Sequence, residues 1–157
     1  MAIKFVRIDD RLIHGQVVTT WIKQFDIEQV IIVNDEVAAD QVQAAVMQFA
    51  APPGVKVVLF TVNGFIKAYN SGPIKKSTMV LFTNPMDVDK CIEEGFKIGL
   101  LNVGGIKYVM GKTQITKAVS LDQTDRNSFK RILERGVKIQ IQMVPNDAIV
   151  SLEELLK

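Results

Sequence analysis

Apolar residues in this chain fall in short β-branched runs, separated by stretches in which they recur every three or four positions. The runs at 2–8, 29–33, 55–60, 78–82 and 98–103 predict strands. The run at 29–33, Gln-Val-Ile-Ile-Val, is apolar almost throughout, the pattern of a strand buried on both faces. A helix near 15–25 carries Val17, Val18, Trp21, Ile22 and Phe25. Asn34 or Asp35 caps a second helix, with Val42, Ala45, Val46 and Phe49 at helical spacing, and Pro52-Pro53-Gly54 ends it. A short helix bearing Val62, Phe65, Ile66 and Tyr69 is broken by Ser71-Gly72-Pro73. Asn84-Pro85 supplies an N-cap and a first helical position for a helix that turns Val88, Cys91 and Ile92 inward and stops near Gly95.

The last third reads less evenly. Residues 106–121 mix Ile106, Tyr108 and Val109 with Gly111, Lys112 and Lys117, and predict an extended or hairpin-like excursion. Thr124 or Asp125 caps a helix with Phe129, Ile132 and Leu133, closed by Gly136. Val137 to Met143 includes Gln140 and Gln142, as an edge or half-exposed strand does. Ser151 with Glu154 forms a capping-box pair that opens a short final helix. Strand–helix alternation of this kind specifies an α/β fold, with a mostly parallel (mixed) sheet of about seven strands and helices on both faces. No repeat or linker divides it, so 1–157 is read as one domain.

Composition narrows the function classes. The chain is 48% hydrophobic and 23% charged, ordinary for a soluble globular protein, and its net charge of +2 gives no support for a nucleic-acid partner. With one cysteine, Cys91, and one histidine, His14, neither an internal disulfide nor the usual nitrogen–sulfur metal cage is available. Cys91 itself reads as a small core hydrophobe. No signal peptide or apolar stretch of about 18 residues is present, so a cytoplasmic protein is expected.

In open parallel sheets, ligands bind beyond the carboxyl ends of the strands. The His14 loop, Asn34-Asp35, 61–64, Thr83-Asn84 and Gly104-Gly105 belong to that edge. None carries a dinucleotide fingerprint or a P-loop, so neither a nucleotide nor any other cofactor is implied, and no metal. The chemistry concentrates in Arg-Ile-Asp-Asp-Arg-Leu-Ile-His-Gly-Gln-Val at 7–17. There His14 is the candidate nucleophile and Arg11 the candidate anion holder. Asp9 and Asp10 stand beside them, and the backbone N–H groups of Gly15 and Gln16 open a helix. Such a set suits transfer of a phosphoryl group. Attack needs an unprotonated ring nitrogen, which predicts that at least one aspartate turns away from the ring or pairs with an arginine. An aspartate that did touch the ring would fix its tautomer. The plainer alternatives stay open: His14 as a capping histidine, Arg11 as an ion-pair partner of Asp9 or Asp10, Trp21 as core, and Gly104-Gly105 as turn glycines.

The motif at 7–17 resembles one family closely, as do Trp21, Asn34-Asp35 and Asn-Val-Gly-Gly at 102–105. So do Gly-Lys-Thr-Gln-Ile-Thr-Lys-Ala-Val-Ser at 111–120 and Arg-Gly-Val-Lys-Ile-Gln-Ile-Gln-Met-Val-Pro at 135–145. That family is the IIB component of the mannose/fructose/sorbose-type sugar phosphotransferase systems (PTS). The resemblance implies an open twisted sheet and a phosphocarrier in which His14 accepts a phosphoryl group from a phosphohistidine on IIA. The carrier then passes it to a sugar entering through the membrane components IIC and IID, as a protein-N(pi)-phosphohistidine–sugar phosphotransferase. It also implies that Arg11 holds the phosphoryl group, that IIB is here separate from IIA, and that the chain sits peripherally at the inner face of the membrane through IIC/IID. Lys107, Lys112 and Lys117 would meet an acidic partner if they rim the His14 site. Two other function classes remain at this stage, a non-catalytic docking regulator and an anion-binding α/β domain.

Overall fold

The computed structural model describes residues 2–157. In chain order the elements are β1 (Ile3–Asp9), α1 (Gly15–Gln24), β2 (Gln29–Val33), α2 (Asp35–Ala39), α3 (Gln41–Ala50), β3 (Lys56–Phe60), α4 (Val62–Ser71) and β4 (Thr78–Phe82). There follow α5 (Pro85–Glu93), β5 (Leu100–Gly105), β6 (Thr113–Gln114), β7 (Ser120–Leu121), α6 (Gln123–Glu134), β8 (Lys138–Ile141), β9 (Val150–Ser151) and α7 (Leu152–Leu155). One seven-stranded sheet runs β3-β2-β4-β1-β5-β8-β9, parallel throughout except for β9. The expected α/β class and sheet are therefore present.

Central strands alternate their side chains between two apolar layers. Val30, Ile32, Met79 and Leu81 pack with Val18, Trp21 and Ile22 of α1 on one face. Ile31, Val33, Val80 and Phe82 pack on the other with Phe65, Val88, Cys91, Phe129 and Ile132 from α4, α5 and α6. Burial on both faces is why β2 and β4 are written almost wholly in apolar residues. β1 lies between β4 and β5, near the middle of the sheet, and the loop leaving it opens at the carboxyl edge.

Several local expectations need correction. The helix read after Asn34 is two helices, because Asp40 leaves helical geometry and its carboxylate caps α3 by accepting from Val42 N and Gln43 N. Val42, Val46 and Phe49 are 73%, 53% and 89% exposed, and α3 instead turns Met47 inward. Helical spacing identifies one face of a helix; in a segment without charge it does not say which face is buried. Asp122, not Thr124 or Asp125, is the N-cap of α6, in a reciprocal capping box with Asp125. β8 is half-exposed, as one of the two readings had it, but is not the edge, because β9 pairs outside it. Ser151 precedes α7 but makes no side-chain cap bond. The excursion does contain a small hairpin, β6 with β7, tied back by a bridge between Ile106 and Val119. Among the described residues no helix is long and apolar enough to cross a membrane.

Candidate phosphoryl-transfer site

Arg7 interrupts the apolar run of β1, opposite Leu81 on β4 and Asn102 on β5, with 0% of its surface exposed. A guanidinium at that depth is tolerable only when its N–H groups find acceptors. Nη1 donates to Asn102 Oδ1 at 2.5 Å and to the Gln142 carbonyl at 3.0 Å. Nη2 donates to Asp9 Oδ2 at 3.0 Å and to the Met143 carbonyl at 3.1 Å. The Trp21 ring lies 5.5 Å from Cζ, and its Nε1 donates to the same Met143 carbonyl at 2.9 Å. Trp21 is thus core packing, as expected, and also a wall of this site. A Cβ on Gly104 would fall 1.9 Å from Arg7 Nη2, so residue 104 has no room for a side chain.

A register shift between Ile8 and Asp9 sets Asp9 opposite Gly105. Its buried carboxylate accepts four donors: Arg7 Nη2, Arg11 Nη2 and Nε at 3.0 Å each, and Arg11 N at 3.1 Å. Arg11 is gripped along one edge and remains 42% exposed, with Nη1 unengaged among the described residues. The bond to Asp9 holds the Arg11 guanidinium above the ordinary arginine value, whereas burial pushes Arg7 below it against the pull of Asp9. Both stay charged at any physiological pH. Asp10 turns elsewhere: its Oδ2 accepts from Lys107 N at 2.8 Å, and its own N–H donates to the Gly105 carbonyl at 3.1 Å.

The chain then makes a tight turn. Leu12 N donates to the Asp9 carbonyl at 3.0 Å, and Leu12 adopts φ +60, a left-handed conformation unusual for leucine. Its buried side chain, with that of Ile13, anchors the loop in the core. The turn delivers the Leu12 carbonyl to His14 Nδ1 at 2.8 Å. A carbonyl only accepts, so Nδ1 carries the hydrogen and Nε2 the lone pair. In this conformation Nε2 is buried without a partner. His14 is the N-cap residue of α1 but makes no side-chain cap bond, and Gly15 follows at φ +48. The first-turn N–H groups of Gly15 and Gln16 therefore remain open to an anion.

The expectation that at least one aspartate turns away from the ring or pairs with an arginine is met by both Asp9 and Asp10, and neither one bonds the ring. One carboxylate is shared between two arginines and the other is tied to the Lys107 backbone. The Leu12 carbonyl takes the tautomer-fixing role instead. Of the carboxyl-edge loops, Asn34, Thr61 and Asn84 are spent capping helices, and Asp35 accepts from Val62 N. Arg11 and Gly104-Gly105 open onto a cleft of about 710 Å³, walled also by Lys107, Lys117 and Gln142. Lys112 is not on that rim, because its ammonium pairs with buried Asp125 at 2.9 Å. Sequence reasoning assigned no role to Arg7 or Asn102. A lone arginine inside an apolar strand, facing a Gly-Gly pair, was the available signal.

Comparison with known proteins gives the family. A family model described as "PTS system sorbose subfamily IIB component" matches residues 3–157. The chain belongs to that IIB family. The sorbose-specific EIIB component of Klebsiella pneumoniae is 41% identical over 153 residues, covering 97% of this chain and 93% of the relative. The mannose-specific EIIAB component of Escherichia coli (strain K12) is 42% identical over 157 residues, covering 99% of this chain and 49% of the relative. This IIB chain thus spans about half the length of the mannose-specific relatives it matches. The crystal structure of the IIBSor domain of the Klebsiella pneumoniae sorbose permease superposes with a TM-score of 0.95 at 40% identity, covering 99% of this chain and 96% of that one.

Proposed function

We propose that this IIB chain is a phosphocarrier in which His14 takes a phosphoryl group from phosphorylated IIA. It then gives the group to a sugar entering through IIC and IID, which would hold the chain at the inner membrane face. The contrast between His14 and the single cysteine carries the reading. His14 lies in the loop between β1 and α1, three residues after Arg11 with its unengaged Nη1 and at an uncapped helix start, whereas Cys91 is wholly buried and its thiol is pushed up to about 12 by desolvation.

In the accepting step a ring nitrogen of His14 attacks phosphorus while the donor's N–P bond breaks and its electron pair returns to the donor imidazole. Neither His14 nitrogen is ready in the resting geometry, since Nδ1 is bonded to Leu12 and Nε2 is buried. A turn of the ring off the Leu12 carbonyl precedes attack, and attack through Nδ1, the pi nitrogen, moves the hydrogen to Nε2. Arg11 Nη1 and the N–H groups of Gly15 and Gln16 then meet the phosphoryl oxygens, with charge-assisted bonds of about 1.5–3 kcal/mol each. The same donors stabilise the charge spread over those oxygens during transfer.

Reconstitution with phosphorylated IIA, membrane-embedded IIC/IID and a panel of labelled sugars tests this. Sugar phosphate should form with the wild-type chain, stop with His14→Ala and fall about a hundredfold with Arg11→Ala. Undiminished sugar phosphorylation by His14→Ala would refute the assignment.

A further inference from the structure

Arg7 is too deep to touch a phosphoryl group, yet it is bonded to one side of the carboxylate whose other side holds Arg11. The geometry points to Arg7 as a positioning residue for phosphoryl transfer: its buried charge neutralises Asp9, so that Asp9 fixes Arg11 without cancelling the positive charge offered to the phosphoryl group. The inference rests on the reading of His14 as the acceptor.

Charge counting shows what Arg7 adds. Asp9 and Arg11 alone form a neutral pair, with a carboxylate a few ångströms from where a dianion must settle. With Arg7 the three groups sum to +1, and every carboxylate oxygen is occupied by a donor. Arg11 is thereby held on its Nε–Nη2 edge while Nη1 keeps both hydrogens for the incoming group. The low dielectric around the buried pair makes that compensation stronger than at a surface.

Stability gives no adequate reason for the arrangement. A buried ion pair is a poor stabiliser, and apolar residues of similar volume often do as well or better. The fold nevertheless clears space for the charge. Gly104 leaves room for the Arg7 guanidinium, Asn102 and the Gln142 and Met143 carbonyls take the Nη hydrogens that Asp9 does not, Nε alone lacks a partner, and Trp21 covers the group. At Gly105 a Cβ would lie 3.2 Å from Arg11 Nη2, so the second glycine keeps the other end of the relay clear.

The test measures label transfer from phosphorylated IIA to wild type, Arg7→Gln, Arg7→Lys and the double variant Arg7→Gln/Asp9→Asn, with folding checked by thermal unfolding. Arg7→Gln keeps polar contacts but makes the site neutral, and should lower kcat/KM roughly ten- to thirtyfold. Arg7→Lys and the double variant both leave a net +1, and should each exceed Arg7→Gln by several-fold. If Arg7→Gln does not fold, the double variant must match Arg7→Lys within about threefold. Equal losses in Arg7→Gln and Arg7→Lys, a double variant no better than Arg7→Gln, or transfer by Arg7→Gln at the wild-type rate would each overturn the role of Arg7. A wild-type chain that takes no label would overturn the His14 reading and this inference with it.

Discussion

Gly104 passes the guanidinium of Arg7 so closely that one added methyl group would lie 2.1 Å from Cζ. Arg7 has no free direction in which to yield, being fixed by Asp9, Asn102 and two carbonyls. Gly104→Ala should therefore cost about 3 kcal/mol or more, above the usual range for overpacking, because backbone or a buried charge must move. Chemical denaturation of the two proteins checks it. A variant as stable as wild type would mean that the strands separate more easily than the packing implies.

Cys91 should behave as core. With its thiol pushed up to about 12 and its side chain buried between α4, α5 and the sheet, almost no thiolate exists at neutral pH. Labelling by a thiol reagent should stay negligible in the native protein and become rapid in denaturant. Fast native labelling would show that the helix layer opens.

The excursion lysines should separate into two kinds. Lys112 neutralises Asp125, whose side chain is only 1% exposed, so Lys112→Ala should destabilise by about 3 kcal/mol. Lys107 and Lys117 are exposed on the cleft with Arg11. Reversing both to glutamate should leave stability within about 0.5 kcal/mol. It should also raise KM for phosphorylated IIA several-fold, an effect that weakens as salt is added. Unchanged transfer kinetics would remove this face from the docking surface.

Much of the fold was legible because its strands are short apolar runs and its helices have cap residues at their starts. Asn84-Pro85 and the Thr78–Phe82 strand stand where the sequence put them. The α3 region was misread because Gln41, Gln43 and Gln48 are as uncharged as the rest of the helix, so no charged face marked the outside. At the site, local spacing put Arg11 and His14 in the one loop between β1 and α1, with Gly15 opening the helix. It did not show that Asp9 belongs to the arginines, which depends on Asn102, Gly104 and Gln142, residues about a hundred or more positions away. Long-range contacts of that kind are set by sheet order, which single-sequence periodicity does not encode.

Asp87 gives a pH-dependent prediction. Burial raises its carboxyl above the ordinary aspartate range, Asp35 adds to that, and the Asn84 bond opposes it. A carboxyl raised by folding favours the folded state below the unfolded-state value, and that contribution is lost as pH rises through the raised value. Asp87→Asn should therefore gain in Tm relative to wild type as pH climbs out of the aspartate range, and keep the gain at neutral pH. Thermal scans across that range check the sign; a gap that closes with rising pH would contradict it.

The most direct test of the whole account locates the phosphate itself. Wild type, His14→Ala and Cys91→Ser are incubated with radiolabelled phosphorylated IIA, and the label is assayed for acid and base stability and mapped by peptide. Wild type and Cys91→Ser should both carry an acid-labile, base-stable phosphate on the peptide containing His14, and His14→Ala should carry none. Label retained by His14→Ala, or lost in a folded Cys91→Ser, would contradict it.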